Sequence, residues 1–490
     1  MSTHSHLDDE LEDRRRWCTV AVLCLAVLMI GINATIINIA LPPIRAELHF
    51  TDASLVWVVN AYLIFFGGFL LLGGRLGDVL GRRRLLLLGI LVFAIASLGC
   101  GLATSAVTLI AARAVQGIGG AITSAVALAE IANVFEDAPR RSRALGVYVF
   151  VNAAGGSLGH LLSGVLIGEL GWRWIFLING PLAAAAYALC VAYLPSRNGA
   201  ASNETLDVAG AIVVTALLIL GVYGVVNWNE GVSAQHSVLV VGIGLLLVLF
   251  VFIEARVQKP LVPLHLFRTR NLVAASIAGI LFLAALLGWS FFSALYLQRV
   301  LRFDALQVAV LLLPANVIIA TMSLTVTPRL ILRLGNRCSV VLGMLAASAA
   351  LAFLGRIPAD ASVILDLLPA TLVLGAGAGM AYNPLYVAAL YSVASSDSGA
   401  ASGVVTTAFT LGGALGLSAL VGVSAARTHA LAASGMELQD ALAGGYQIAF
   451  YSAAAFAAVG ALVSGLCLQD EPQSCRGTIN ASSKPAISKD

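Results

Sequence analysis

Charge is what this chain has least of. Only 11% of its 490 residues are Asp, Glu, Lys or Arg, against 59% hydrophobic, and mean hydropathy is +0.94. A soluble chain of this length would fold as two or three domains, but a water-soluble surface must be polar somewhere, and the composition does not supply it. The apolar surplus has to face lipid. A net charge of +3, with no basic run interleaved with aromatics, excludes a nucleic-acid partner. Cysteine is sparse too. Cys18, Cys24, Cys100, Cys190, Cys338, Cys467 and Cys475 form no CxxC pair and sit mostly in apolar runs, which reads as small hydrophobes rather than ligands or disulfides. There is no metal cluster, no nucleophile–base pair and no sizeable polar domain, the longest polar segments being the tails and the loop after Leu194. No cofactor is expected, and an enzyme or a membrane sensor is disfavoured.

What is present is a series of long apolar runs. About twenty such residues cross roughly 30 Å of hydrocarbon as a helix, which satisfies every backbone polar group without water. Fourteen segments meet that standard, from Trp17–Ala40 to Tyr446–Leu468. The first lacks a cleavage site and is too long for a signal core, so it stays as a span. Residues 1–16 form a charged tail without a fold signal. With the N-terminus cytoplasmic, twenty-one basic residues fall inside, among them Arg14–Arg16, Arg82–Arg84 and Arg329, and six outside, including Arg45 and Arg173. A missed helix would invert that bias downstream, and no inversion occurs. Both termini are expected in the cytoplasm.

The chain also repeats itself. Arg75, Leu76, Leu80, Gly81 and Arg83 recur as Arg329, Leu330, Leu334, Gly335 and Arg337. Gly146, Gly155, Gly156 and Gly159 recur as Gly403, Gly412, Gly413 and Gly416, and Gly117 and Gly119 as Gly375 and Gly377. Each pairing links span n to span n+8. The expected architecture is all-α: six-helix bundles at 17–195 and 271–468, a 196–270 linker carrying two inserted spans, and tails at 1–16 and 469–490. Glycines at four-residue intervals let backbones approach where apolar burial drives no association. The GxG fragments lie inside spans with no preceding strand, so they are not phosphate loops.

The segment Gly74-x-Leu76-x-Asp78-x-x-Gly81-Arg82-Arg83, in an expected cytoplasmic loop, resembles the major facilitator superfamily. Fourteen spans narrow the resemblance to its drug:proton antiporter branch of multidrug efflux transporters. Thr35-Ile-Ile-Asn38-Ile-Ala-Leu-Pro42, Arg113-x-x-Gln116-Gly117 and Gly171-Trp-Arg-Trp174-Ile-Phe-Leu-Ile-Asn179 are similar to further motifs of that branch. The resemblance covers the chain after residue 16. It implies alternating access, two bundles rocking about a central site, and gives the Asp78 loop the part of a cytoplasmic latch. Asp78 and Arg82 are spaced to pair along one helical turn, which contributes about 0.3 to 0.5 kcal/mol when exposed.

The departures from that pattern mark the candidate site. Asn33 stands where the branch commonly has an acidic residue, and Asn cannot titrate. Gly159-His160 replaces Gly-Pro, and Ser163-Gly164 a Gly pair, in the antiporter motif of Gly155, Gly156, Gly159 and Gly164. A mid-membrane His titrates near neutrality or bonds across helices. Arg113 is the one basic residue inside a span and a functional candidate because a buried charge is costly. Its repeat counterpart is Thr371. Gln116 shares its face, while Glu130 lies seventeen residues on, about 25 Å away. Asn33, Arg113, Gln116, Glu130 and His160 are therefore the candidates for substrate or proton coupling. Tyr62, Asn152, Trp289, Asn316, Tyr382, Asn383 and Tyr386 are candidate cavity residues. The expected partners are the bilayer, protons and a small molecule, and a mostly apolar cavity suits lipophilic or cationic compounds. Nothing in the sequence names a protein partner.

Overall fold

A computed structural model describes residues 2–135, 137–194, 207–226, 234–257, 260, 264–391, 393 and 398–469. Every regular element among them is helical. In the N-terminal half these are α1 (Ser2–Leu48), α2 (Asp52–Leu80), α3 (Arg82–Gly101), α4 (Ala106–Val134), α5 (Ala138–Leu170), and the short α6 (Trp174–Leu177) running into α7 (Asn179–Tyr193). Then come α8 (Val208–Val226) and α9 (Ala234–Arg256). The C-terminal half holds α10 (Arg270–Leu295), α11 (Ala305–Thr321), α12 (Thr327–Leu354), α13 (Leu368–Leu390), α14 (Ser398–Ala433) and α15 (Leu438–Cys467).

Twelve helical stretches are long and apolar enough to cross a membrane, against the fourteen expected. The difference lies in two places. Ala209–Gly224 is apolar but short of full crossing length, and Ala305–Leu354 is one run of 50 residues. That run would be about 75 Å long if straight, more than twice the hydrocarbon thickness. It is not straight, because Gly335 breaks it at φ 90°, ψ 166°. A second correction concerns the tail: α1 begins at Ser2, so residues expected without structure continue the first helix. Acid-before-base spacings (Glu10 to Arg14, Glu12 to Arg16) and the absence of Gly and Pro favour that continuation.

The duplication is written into the backbone. Among the described residues, six have positive φ, and they fall into three pairs: His49 with Arg302, Gly81 with Gly335, and Gly171 with Gly435. Each pair sits at the same corner of the two halves. The first also shares its helix start, since Thr51 and Asp304 both close reciprocal side-chain caps, with Ser54 and Gln307.

Contacts sort the helix ends onto two faces. On one, Arg83 Nη2 donates to the Val191 carbonyl (2.7 Å), Arg140 pairs with Asp13 (2.8 Å), and Arg270 Nε donates to the Cys467 carbonyl (3.1 Å). On the other, Glu47 accepts from Trp172 Nε1 (2.6 Å) and from Arg173, whose Nη2 also donates to the Ala103 carbonyl (3.1 Å).

The apolar core follows the same division. On the Arg173 face a single cluster runs through both halves, joining Ile36, Leu55 and Phe176 to Phe292, Leu312 and Phe450. Toward the Arg82 face the buried core divides. One cluster, around Leu23, Phe93 and Ile131, belongs to the N-terminal half; another, around Phe282, Met344 and Phe409, to the C-terminal half; and Leu72 with Ala211 forms a small third. The apolar core is thus continuous between the halves at one end and divided at the other, where α2 and α14 still meet at Leu71 and Gly403. At the continuous end Asn38 Nδ2 donates to Ser290 Oγ (2.9 Å), Asn60 Nδ2 to Ser418 Oγ (2.6 Å), and Gln298 Nε2 to the Ile39 carbonyl (3.1 Å). Two helix pairs form the seams, α2 with α14 and α5 with α11. Among the described residues only the first is covered: α8 packs on α2 and α14 together, with Thr215 against Gly68 and Leu415 against Gly221.

Candidate functional site

Three of the residues singled out from sequence converge inside the N-terminal bundle. Close backbone approach brings them there. A Cβ on Gly117 would lie 2.5 Å from the Tyr62 carbonyl and one on Gly119 2.5 Å from the Phe93 nitrogen, so α4 sits directly against α2 and α3. This swings Arg113 and Gln116 into the bundle, where α1 supplies Asn33. All three are buried.

Their hydrogen bonds form one network. Arg113 Nη1 donates to Gln116 Oε1 (2.6 Å) and to Asn33 Oδ1 (3.3 Å), and its Nε donates to the Val58 carbonyl (2.9 Å). Gln116 Nε2 donates to Asn33 Oδ1 (3.2 Å) and to Ser97 Oγ (2.7 Å). The guanidinium carbon stands 4.5 Å from the centre of the Tyr62 ring and 5.9 Å from that of Phe176. Placing a cation at bilayer depth costs about 3 kcal/mol on insertion scales. Hydrogen bonds to a charged group contribute about 1.5 to 3 kcal/mol each, so these contacts hold it in place. No carboxylate pairs with Arg113 among the described residues.

His160 and Glu130 lie elsewhere. His160 is buried in α5 with its Nδ1 3.0 Å from the Gly156 carbonyl, and its Nε2 has no hydrogen-bond partner. Asn316 of α11 approaches the same Nδ1 at 3.5 Å, which puts His160 on the open α5–α11 seam. Glu130 lies at the Arg82 face, 3.7 Å from the Arg82 guanidinium. Arg82 therefore pairs across to α4, while the side chain of Asp78, its expected partner, lies outside the described residues. Gly81 makes the turn of that loop at φ 88°, Leu76 packs on the N-terminal cluster, and Gly74 has open space around it.

The antiporter-motif glycines divide by partner. Gly155 meets Gly31 of α1 and Gly159 meets Ile32 and Thr35, while a Cβ on Gly156 would make only an ordinary contact with Thr35, whose hydroxyl donates to the Gly156 carbonyl (2.8 Å). Gly164 instead meets the other bundle, an added Cβ falling 2.6 Å from the Ala309 methyl and 2.9 Å from Leu306 Cα. Of the cavity candidates, Tyr382 and Tyr386 meet edge-on and both contact Phe409, Asn152 is exposed, and Tyr62 and Trp289 are buried. Cys24, Cys100 and Cys190 are buried as expected of small hydrophobes; Cys18 and Cys338 are exposed, and Cys475 lies outside the described residues. Sequence reasoning missed Ser97, the Val58 carbonyl and Glu47. Only Glu47 had a signal, an acidic residue in an outer loop with Arg173 available to pair.

Comparison with known proteins gives the geometry a context. The family model for the Major Facilitator Superfamily matches residues 23–417. The chain is 35% identical to a puromycin resistance protein of Streptomyces alboniger, over 97% of this chain and 95% of that one. It is 36% identical to a cephamycin export protein of Amycolatopsis lactamdurans (84% and 85%) and 34% to a lincomycin resistance protein of Streptomyces lincolnensis (85% and 86%). Among solved structures it resembles a bacterial homolog of the human lysosomal transporter Spinster, crystallised inward-facing and unoccupied. That likeness has TM-score 0.67 at 17% identity over 92% of this chain and 97% of that one, and concerns the fold. The chain belongs to the Major Facilitator Superfamily, in its drug-efflux branch, and is a membrane transporter rather than an enzyme.

Proposed function

We propose that this protein exports small amphiphilic compounds, such as an antibiotic or a toxic metabolite, across the cytoplasmic membrane by alternating access, with protons entering in exchange. The observation that carries the reading is the divided core: one apolar cluster spans both halves at the Arg173 face, while toward the Arg82 face each half has a cluster of its own. A core continuous between two bundles at one end and divided at the other suits a rocking exporter in one of its two end states. Relatives whose names state antibiotic export or resistance point the same way.

The proposal includes fourteen crossings, counting the run broken at Gly335 as two and Ala209–Gly224 as one. Bundles at 17–195 and 271–468 flank the linker at 196–270. The Arg82 face and the tails at 1–16 and 469–490 lie in the cytoplasm, in keeping with the distribution of basic residues. Arg82 and Glu130 act as a latch between the start of α3 and the end of α4. Arg113, Gln116 and Asn33 bind or couple, and His160 carries the proton at the seam.

A membrane potential of 100 mV supplies about 2.3 kcal/mol per charge, and about 1.4 kcal/mol sustains a tenfold gradient, so one proton suffices for useful efflux. Export from loaded membrane vesicles should stop when an ionophore collapses the proton gradient. Unchanged transport would favour a second reading, export or facilitated diffusion without proton coupling. Asn33 motivates that alternative, since an amide carries no proton.

A further inference from the structure

The Arg113 network has more donors than acceptors, and the excess is local. Both amides are fixed in orientation. Asn33 Oδ1 accepts from Arg113 and from Gln116, and turning the amide over would set donors against donors. Its Nδ2 must then point the other way, where it has no hydrogen-bond partner although buried. The Tyr62 hydroxyl, also buried, lies beside the Asn33 side chain without a hydrogen bond of full geometry, and its own proton has no acceptor. Arg113 donates through Nη1 and Nε. No carboxylate pairs with the guanidinium among the described residues, so its positive charge has no anionic partner there.

A bound water can satisfy spare donors, but it does not neutralise a charge. A singly charged acceptor does both. We propose that this cluster is an anion site that takes the carboxylate of an amphiphilic acid, with Arg113 Nη2, Asn33 Nδ2 and the Tyr62 hydroxyl as its donors and the rings of Tyr62 and Phe176 as its apolar wall. This rests on the export reading and narrows its substrate class, from the lipophilic or cationic compounds expected from composition to acids. The site is closed in the state described, where Asn33, Arg113 and Tyr62 are 0%, 1% and 3% exposed, and the acid enters it when the bundles move.

The test uses the full-length protein in lipid nanodiscs and liposomes, with naphthalene, biphenyl and indole compounds each supplied as carboxylate, methyl ester and amine. Calorimetry on the wild type should show carboxylates binding at least about tenfold tighter than their esters and amines, the scale of one buried charged hydrogen bond. Asn33→Asp, nearly isosteric, places a fixed carboxylate beside Arg113. It should remove that preference and shift selectivity toward the amines while leaving the thermal transition in place. No preference for carboxylates on any scaffold, or a preference that survives Asn33→Asp, overturns the anion site. Counterflow in liposomes separates this from the export reading. If compounds are exported without regard to charge, export stands and the anion site falls. If carboxylates bind with the expected pattern and none is exported, the site stands and export falls.

Discussion

The two halves of this transporter share their corners and their close-packed glycines, yet differ in what those glycines position. In the N-terminal half, α4 carries Arg113 and Gln116 beside Gly117, and both side chains enter a buried hydrogen-bonded network. In the C-terminal half the same register beside Gly375 holds Thr371 and Leu374. Thr371 bonds back to its own helix at the Leu367 carbonyl (2.5 Å), and Leu374 joins the apolar core. Thr371 lines a small crevice with Ser293 and Leu312. One half is chemically specialised and the other is structural, on a common backbone plan. Duplication preserved how the helices meet and left the polar contents of each bundle free to diverge.

The largest effect should come from removing the specialised residue. Arg113→Ala is expected to slow export about a hundredfold, since several hydrogen bonds to a charge, each of about 1.5 to 3 kcal/mol, are lost together. Thr371→Ala should change the rate less than about twofold. Transport assays on both would erase the contrast between the halves if the two variants lost activity equally.

Next is the reverse transplant. Thr371→Arg puts a cation among apolar neighbours without an Asn or Gln to receive it, and should destabilise the protein by about 3 kcal/mol. Thermal denaturation in detergent measures this. A stability equal to wild type would mean that the C-terminal half can also host a buried charge.

Gly164 gives a smaller test. Its counterpart at the same offset as the other repeated glycines is Val421, which is buried. Gly164→Val should therefore fit the local helix but clash with Ala309 across the seam, costing about 1 to 3 kcal/mol and slowing transport. Gly146→Ala, with open space around that position, should be neutral in both assays. The smallest effect belongs to the latch. Arg82 and Glu130 are partly solvated at 3.7 Å, so a double-mutant cycle should return a coupling below about 1 kcal/mol even where transport falls.

Much of the fold was legible because lipid imposes simple requirements. Long apolar runs, the sidedness of arginine and recurring glycine spacings each report on a single physical demand. Arg113 was equally legible, since a cation inside a span needs a reason. The rest depended on packing. The helical tail follows from which residues bond onward, which hydropathy does not register. The pairing of Arg82 with Glu130 needed the position of α4, and Gly164 resembled its neighbours in the motif although it faces the other bundle. Ser97 and the Val58 carbonyl have no signature at all; a serine or a backbone oxygen becomes a ligand for a network only when three other helices close around it.

The paired corners also bear on how such a protein can be taken apart. At two of the three, glycine occupies the left-handed turn in both halves; at the third the chain holds His49 and Arg302 in a region non-glycine residues adopt at some expense. The bend is inherited there although the residue is not. Those six points are natural splice junctions: a helix cut out between two of them in one half has matching ends waiting for it in the other, so segments exchanged between the halves should arrive already aimed in the right direction.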